Sequence, residues 1–159
     1  IAVADLDGDG APELLNGSAT AAFKCGHSGR DLLWEFPNYG YVFRDLKVAD
    51  FAPSAGLEVA VASDTEFVYL LGPEGETLAQ QDLGSAPLEL AVVAMDNATL
   101  LAAGCRDGTV HVLDGSLATR GRYPLTAQVN GAVVASTGDA QLIVAGTADG
   151  TVTALSLAE

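Results

Sequence analysis

The sequence predicts an all-β protein, a β-propeller built from four blade-like units of about 40–45 residues, and three observations carry that expectation. First, the chain repeats itself: Val3-Ala4-Asp5, Val48-Ala49-Asp50, Val93-Ala94-Met95 and Val134-Ala135-Ser136 start similar segments, at intervals of 45, 45 and 41 residues. Second, each start leads through a short loop into further short apolar runs, giving three or four runs per unit. Third, no long stretch has helical period; the runs are rich in Val, Leu and Ala and are punctuated by 18 glycines. The units fall at about 1–41, 42–86, 87–126 and 127–159, in a single domain or propeller fragment spanning 1–159.

Within each unit the elements follow in order. The second runs are Glu13-Leu14-Leu15, Leu57–Val61, Leu100–Gly104 and Leu142–Gly146. The third runs are clearest in the last two units, where Asp107-Gly108 and Asp149-Gly150 precede Thr-Val; Asp-Gly between β-rich runs is a hairpin signal because glycine accepts positive φ. Ser63-Asp64-Thr65-Glu66 holds that place in the second unit. Fourth runs are Leu32–Phe36, Thr77–Leu83 and Arg122–Leu125, and the last unit lacks this outer strand. Trp34, Phe36, Phe67, Tyr69 and Tyr123 fall on outer or inter-unit strands and are expected to pack between blades. Four units suit a small closed ring or part of a larger one of roughly seven or eight blades. The seam reads as unsealed, which points to a fragment, a partner strand or a self-association edge. The chain opens on Ile1 within a strand, without an initiator Met or a signal peptide, and is read as a piece of something longer.

The most specific motif is Asp5-Leu6-Asp7-Gly8-Asp9-Gly10-Ala11-Pro12-Glu13. Three carboxylates at alternate positions of a tight loop can face one centre, Gly10 permits a sharp turn, and Glu13 closes the shell. That donor set suits Ca²⁺, a hard cation taking six to eight oxygens at roughly 2.3–2.6 Å.

Composition narrows the remaining choices. The chain is 49% hydrophobic, enough for a core, and carries 21 acidic against 7 basic residues, a net charge of −14. No basic patch exists to offset phosphate, so nucleic acid is not an expected partner, and adsorption to anionic membranes is disfavoured. No apolar run reaches the roughly 18 residues of a membrane span, so no membrane insertion is expected. Cys25 and Cys105 stand in different units and are expected as buried or half-buried thiols rather than a disulfide or metal pair. Asn97-Ala98-Thr99 and Asn16-Gly17-Ser18 are N-glycan acceptor triplets; Asn97, in an expected loop, is the better of the two.

Val-Ala-Asp-Leu-Asp-Gly-Asp-Gly-Ala-Pro-Glu-Leu resembles the FG-GAP repeat, also found in VCBS-type repeats and in the integrin α-subunit propeller. The resemblance implies Ca²⁺ between the first two strands of blade one, held by Asp5, Asp7, Asp9, the Ala11 carbonyl and Glu13; the family more often has Asp at the last position. Blade two keeps Asp50 and Glu58 but has Ala52, Ser54 and Ala55 in place of Asp7, Asp9 and Gly10, and blades three and four shorten the loop, so one calcium is expected. The later units are similar to quinoprotein-type or WD-type propeller repeats, and Ser28-Gly29 before Trp34 resembles the quinoprotein Thr-Gly…Trp.

No catalytic constellation stands out. His27, in Gly26-His27-Ser28-Gly29, reads as a surface residue, and His111, between Val110 and Val112, as a hydrogen-bonded inter-blade or channel residue. Gly26–Gly29 does not fit the G-x-S-x-G nucleophile elbow. The expected function is a non-enzymatic calcium-binding propeller module for protein interaction or structural assembly, in an extracellular or lumenal setting where Ca²⁺ is millimolar. The alternative is a fragment of a propeller enzyme, quinoprotein-like or hydrolytic, whose active site needs further blades.

Overall fold

The structure, a computed structural model, describes residues 1–17, 22–27, 31–52, 56–137 and 140–157. Their fold is all-β. The first sheet contains β1 (Ala2–Ala4), β2 (Glu13–Gly17), β3 (Ala22–His27) and β4 (Asp31–Pro37). The second contains β5 (Phe43–Ala49), β6 (Glu58–Ser63), β7 (Phe67–Leu71) and β8 (Thr77–Asp82). The third contains β9 (Pro87–Ala94), β10 (Thr99–Cys105), β11 (Thr109–Leu113) and β12 (Thr119–Pro124). The fourth has three strands, β13 (Val129–Thr137), β14 (Ala140–Thr147) and β15 (Val152–Ser156). Every sheet is an antiparallel meander in sequence order. The missing fourth strand of the last sheet is therefore as the sequence predicts.

Side-chain alternation explains why the sheets stack. In β6, Val59 and Val61 point to one face and pack with Leu15, Phe23 and Cys25 of the first sheet. Ala60 and Ala62 point to the other and pack with Leu90, Leu101, Ala103 and Leu113 of the third. Every residue of β6 and of β11 is buried, because both strands lie in sheets covered on two sides. A third cluster joins Val93, Val110 and Val112 to Val129, Ile143 and Ala145 of the fourth sheet. Each fully covered Leu or Val contributes about 1.5–3 kcal/mol relative to exposure. Among the described residues the first and fourth sheets have a core cluster on one face only, and β2 reads buried, exposed, buried along Glu13, Leu14 and Leu15.

Aromatic side chains fill the first interface. Phe36 meets Tyr69 edge-on at 5.0 Å, and Phe23 lies 5.8 Å from both Trp34 and Phe43. The Trp34 indole donates to the Pro73 carbonyl at 2.8 Å, and a Cβ on Gly75 would come within 2.6 Å of the indole ring. Polar bonds also cross between sheets: the Leu90 amide donates to Asp45 at 2.8 Å. Arg106, in the β10–β11 turn, reaches Asp64 of the second sheet at 3.0 Å, and Arg44 grips the same carboxylate through two nitrogens.

Among the described residues no core cluster joins the first sheet to the fourth. The outward face of the first sheet presents Val3, Leu14 and Leu32, aligned in one row by strand register through Gly26 and all exposed. The outward face of the fourth presents Val152 and Ala154, also exposed.

Candidate metal centre

The acidic loop connects β1 to β2 at one end of the first sheet, and its backbone folds around its own carboxylates. Asp5 accepts from the Gly8 amide at 2.9 Å with one oxygen and from the Gly10 amide at 3.1 Å with the other. Asp7 accepts from the Asp9 amide at 3.0 Å, and Asp9 from the Ala11 amide at 2.7 Å. Gly8 and Gly10 sit at φ of 76° and 88°, the left-handed region that a side chain disfavours, so both glycines are needed for this path.

Glu13 is the anchor. It opens β2, is 1% exposed, and its Oε2 accepts from the Leu6 amide at 2.7 Å. Its Oε1 is buried and has no hydrogen-bond partner among the described residues. His27 Nε2 lies 3.1 Å away, without hydrogen-bond alignment. A buried carboxylate oxygen left in this state costs free energy, and a cation in the loop would remove that cost. Oxygens of Asp5, Asp7 and Glu13 lie within 4.8 Å of one another, and so do ligand atoms of Asp9, Glu13 and His27. On this test the residues present fit a divalent cation: the donor set is mostly carboxylate oxygen, and one buried oxygen lacks a hydrogen-bond donor.

The glutamate at this position has a second task. In the second sheet Glu58 is 2% exposed and its Oε2 accepts from the Phe51 amide at 2.8 Å, the same bond that Glu13 makes to Leu6. The longer glutamate side chain therefore braces the loop in both units, with or without the aspartates. Asp50 and Glu58 keep the frame, but Ala52 supplies no carboxylate; Ser54 and Ala55 lie outside the described residues. The third loop is a tight turn in which the Met95 amide donates to the Ala98 carbonyl at 2.8 Å. Among the described residues, groups of three or more candidate ligands occur only in the first loop and its immediate neighbour His27.

Three expectations change or gain detail. His27 is half-buried and beside Glu13, its direct partner across the β2–β3 pair, rather than simply a surface residue. The register of that hairpin, with Leu15 opposite Cys25, is the signal that would have found it. His111 is buried between blades, as read, but neither ring nitrogen has a hydrogen-bond partner among the described residues, which corrects the expected bonded state. Its pKa is lowered, first by burial and then by Arg122, with Asp107 opposing, so it is held as neutral imidazole. Cys25 and Cys105 are free and buried, with thiol pKa values pushed up to about 11 and about 12, chiefly by burial. Glu13 and Asp7 add to the rise at Cys25. The Ser28-Gly29 pair lies outside the described residues.

No family model matches the chain, and no curated protein matches it in sequence. Solved structures do match in shape. The crystal structure of BBS1N in complex with ARL6DN superposes with a TM-score of 0.65 at 19% identity, over 93% of this chain and 50% of that one. The computationally designed Ika4 protein gives a TM-score of 0.70 at 19% identity, over 92% and 86% of the two chains. BamB from Moraxella catarrhalis gives 0.70 at 18% identity, over 98% and 45%. The chain thus spans about half the length of the BBS1N and BamB chains it matches. Identities this low carry the fold alone, and that fold is the β-propeller.

Proposed function

We propose that the chain is a non-enzymatic β-propeller module for protein interaction, with Ca²⁺ bracing the loop of its first blade. The observation that carries the calcium reading is the buried Glu13 Oε1, without a hydrogen-bond donor among the described residues and set among Asp5, Asp7 and Asp9. In this reading the three aspartates, Glu13 and the Ala11 carbonyl supply the oxygens. The ion offsets the mutual repulsion of four carboxylates and ties the start of β2 to the end of β1. Only the folded loop gathers these groups, so binding adds to folding stability. Such loops bind in the range of about 10⁻⁴–10⁻³ M in extracellular modules, which favours an extracellular or lumenal setting. There Asn97, exposed in the β9–β10 turn, is the preferred glycan acceptor over Asn16.

The interaction reading rests on exposed apolar groups. Val3, Leu14 and Leu32 on the first sheet, and Val152 on the fourth, form surfaces that a further blade or a partner protein would cover. BBS1N, a structural neighbour, is recorded in complex with another protein, ARL6DN. The partner is another protein or a second copy of this chain. The non-enzymatic part is supported by the thiols, which are buried and held protonated. Thermal unfolding in millimolar Ca²⁺ and in chelator tests the first half of the proposal; equal melting temperatures would remove it. Light scattering on the isolated chain tests the second, and a clean monomer at high concentration would count against pairing through the ends.

A further inference from the structure

We infer that Asp9, Glu13 and His27 form a binding site for a divalent transition-metal ion of the zinc type, where the acidic loop meets the end of β3. The inference rests on the reading of that loop as a cation site and gives it a second class of ligand, brought in by one imidazole. Carboxylate oxygens alone suit Ca²⁺ and Mg²⁺, whereas an imidazole nitrogen in the donor set favours Zn²⁺ and its neighbours in the first transition row.

The geometry is specific. Two ligand atoms bound to a tetrahedral zinc at about 2.0–2.1 Å lie about 3.3 Å apart. His27 Nε2 and Glu13 Oε1 are 3.1 Å apart, yet they are not aligned to share a hydrogen bond. The separation is that of two ligands on one ion. Ligand atoms of Asp9, Glu13 and His27 all lie within 4.8 Å of one another, so a modest closing of the Asp9 side chain completes a three-residue set. Three protein ligands leave a fourth position for water or for a group from outside.

The ligands are already held in place. Glu13 and His27 face each other across the β2–β3 pair, at the first and last residues of their strands. The Leu6 amide fixes Glu13 through Oε2, leaving Oε1 for the ion, and the Ala11 amide orients Asp9 through Oδ1. Outer bonds of this kind orient metal ligands and raise their affinity. Glu58 of the second sheet makes the same brace, but the three-ligand groups among the described residues all lie in the first sheet.

The test is calorimetric titration of the full chain with zinc chloride and, separately, calcium chloride, in about 150 mM salt so that diffuse surface charge is screened. The variant is His27→Gln, at a half-exposed position that the core does not need. The expected result is zinc binding at one site, weakened at least about tenfold by His27→Gln, with calcium affinity changed less than about threefold. Zinc binding indifferent to the substitution overturns the inference, as does an equal loss of both ions, which would make His27 a prop for the loop. Calcium binding without zinc binding overturns this inference alone; binding of neither ion overturns the calcium reading as well. A second readout does not depend on the variant: zinc should protect His27 of the native chain from diethyl pyrocarbonate, while calcium should not. His111, at 6% exposure, contributes little to that reaction. Absence of protection at saturating zinc contradicts the site.

Discussion

Replacing Glu13 by Gln separates the two tasks of this residue. The amide keeps an oxygen to accept from the Leu6 N–H, so the brace seen at 2.7 Å can persist, but the negative charge at the buried Oε1 is gone. For a site with a dissociation constant near 0.5 mM, within the range of extracellular modules, about 5 mM Ca²⁺ stabilises the native chain by about 1.4 kcal/mol. A chain of 159 residues unfolds with an entropy near 0.33 kcal/mol/K, so that gain appears as a rise of about 4 °C in melting temperature. If Glu13→Gln weakens the site about tenfold, the gain falls to about 0.4 kcal/mol and the rise to about 1 °C. Without calcium the variant should be as stable as the parent, or more so by about 1 kcal/mol, since a buried charged oxygen without a hydrogen-bond donor has been removed. Glu58→Gln is the control, because it alters the same brace in a loop that lacks the middle carboxylates. Scanning fluorimetry of parent and both variants, with calcium and with chelator, measures all of this. A full calcium shift retained by Glu13→Gln, or lost in Glu58→Gln, would refute the assignment of Glu13 Oε1 to the ion.

Further outcomes follow from particular residues. Gly10→Ala should destabilise the metal-free chain by about 1–2 kcal/mol in urea unfolding, because φ is 88° there and no neighbour within 4 Å adds a clash. The two thiols should resist a disulfide reagent such as DTNB in the native chain and react fully in denaturant. Their folded pKa values, about 11 and about 12, lie above the ordinary 9.0, so the native state retains protons that the unfolded state releases; stability should fall as pH rises from about 9 to about 12, and less so in a Cys25→Ala/Cys105→Ala chain. Asp64 has its pKa lowered, first by the Arg44 hydrogen bond, with Arg106 assisting, so its contribution is present above the ordinary 3.8 and lost as pH falls below that value. Asp64→Asn should therefore cost no more than about 1 kcal/mol at neutral pH and flatten the acid limb of the stability profile.

The propeller was legible because each unit writes the same strand pattern and the Asp-Gly turns mark the hairpins. Burial on both faces of β6 and β11 is why those runs, Leu57–Val61 among them, carry so little polar alternation. The cation loop was legible for a similar reason, as all its acidic residues lie within nine positions. His27 was not legible, because its place beside Glu13 depends on the register of β2 against β3 rather than on spacing in the chain. The sequence shows Glu58 only as the counterpart of Glu13 in a loop without the middle aspartates; its buried bond to the Phe51 amide gives it a structural reason to stand there. The orphaned nitrogens of His111 were equally beyond a one-dimensional reading, since alternation gives the face of a strand but not what the neighbouring blade offers to it.

The central claim is that one cation site, in the loop of the first blade, braces this propeller. Calorimetric titration of the full chain with calcium chloride in chelator-treated buffer tests it most directly. The expected result is one ion per chain with a dissociation constant between about 10⁻⁴ and 10⁻³ M, abolished by Asp7→Asn/Asp9→Asn. No binding at millimolar calcium, or saturable binding that survives the double substitution, would contradict it.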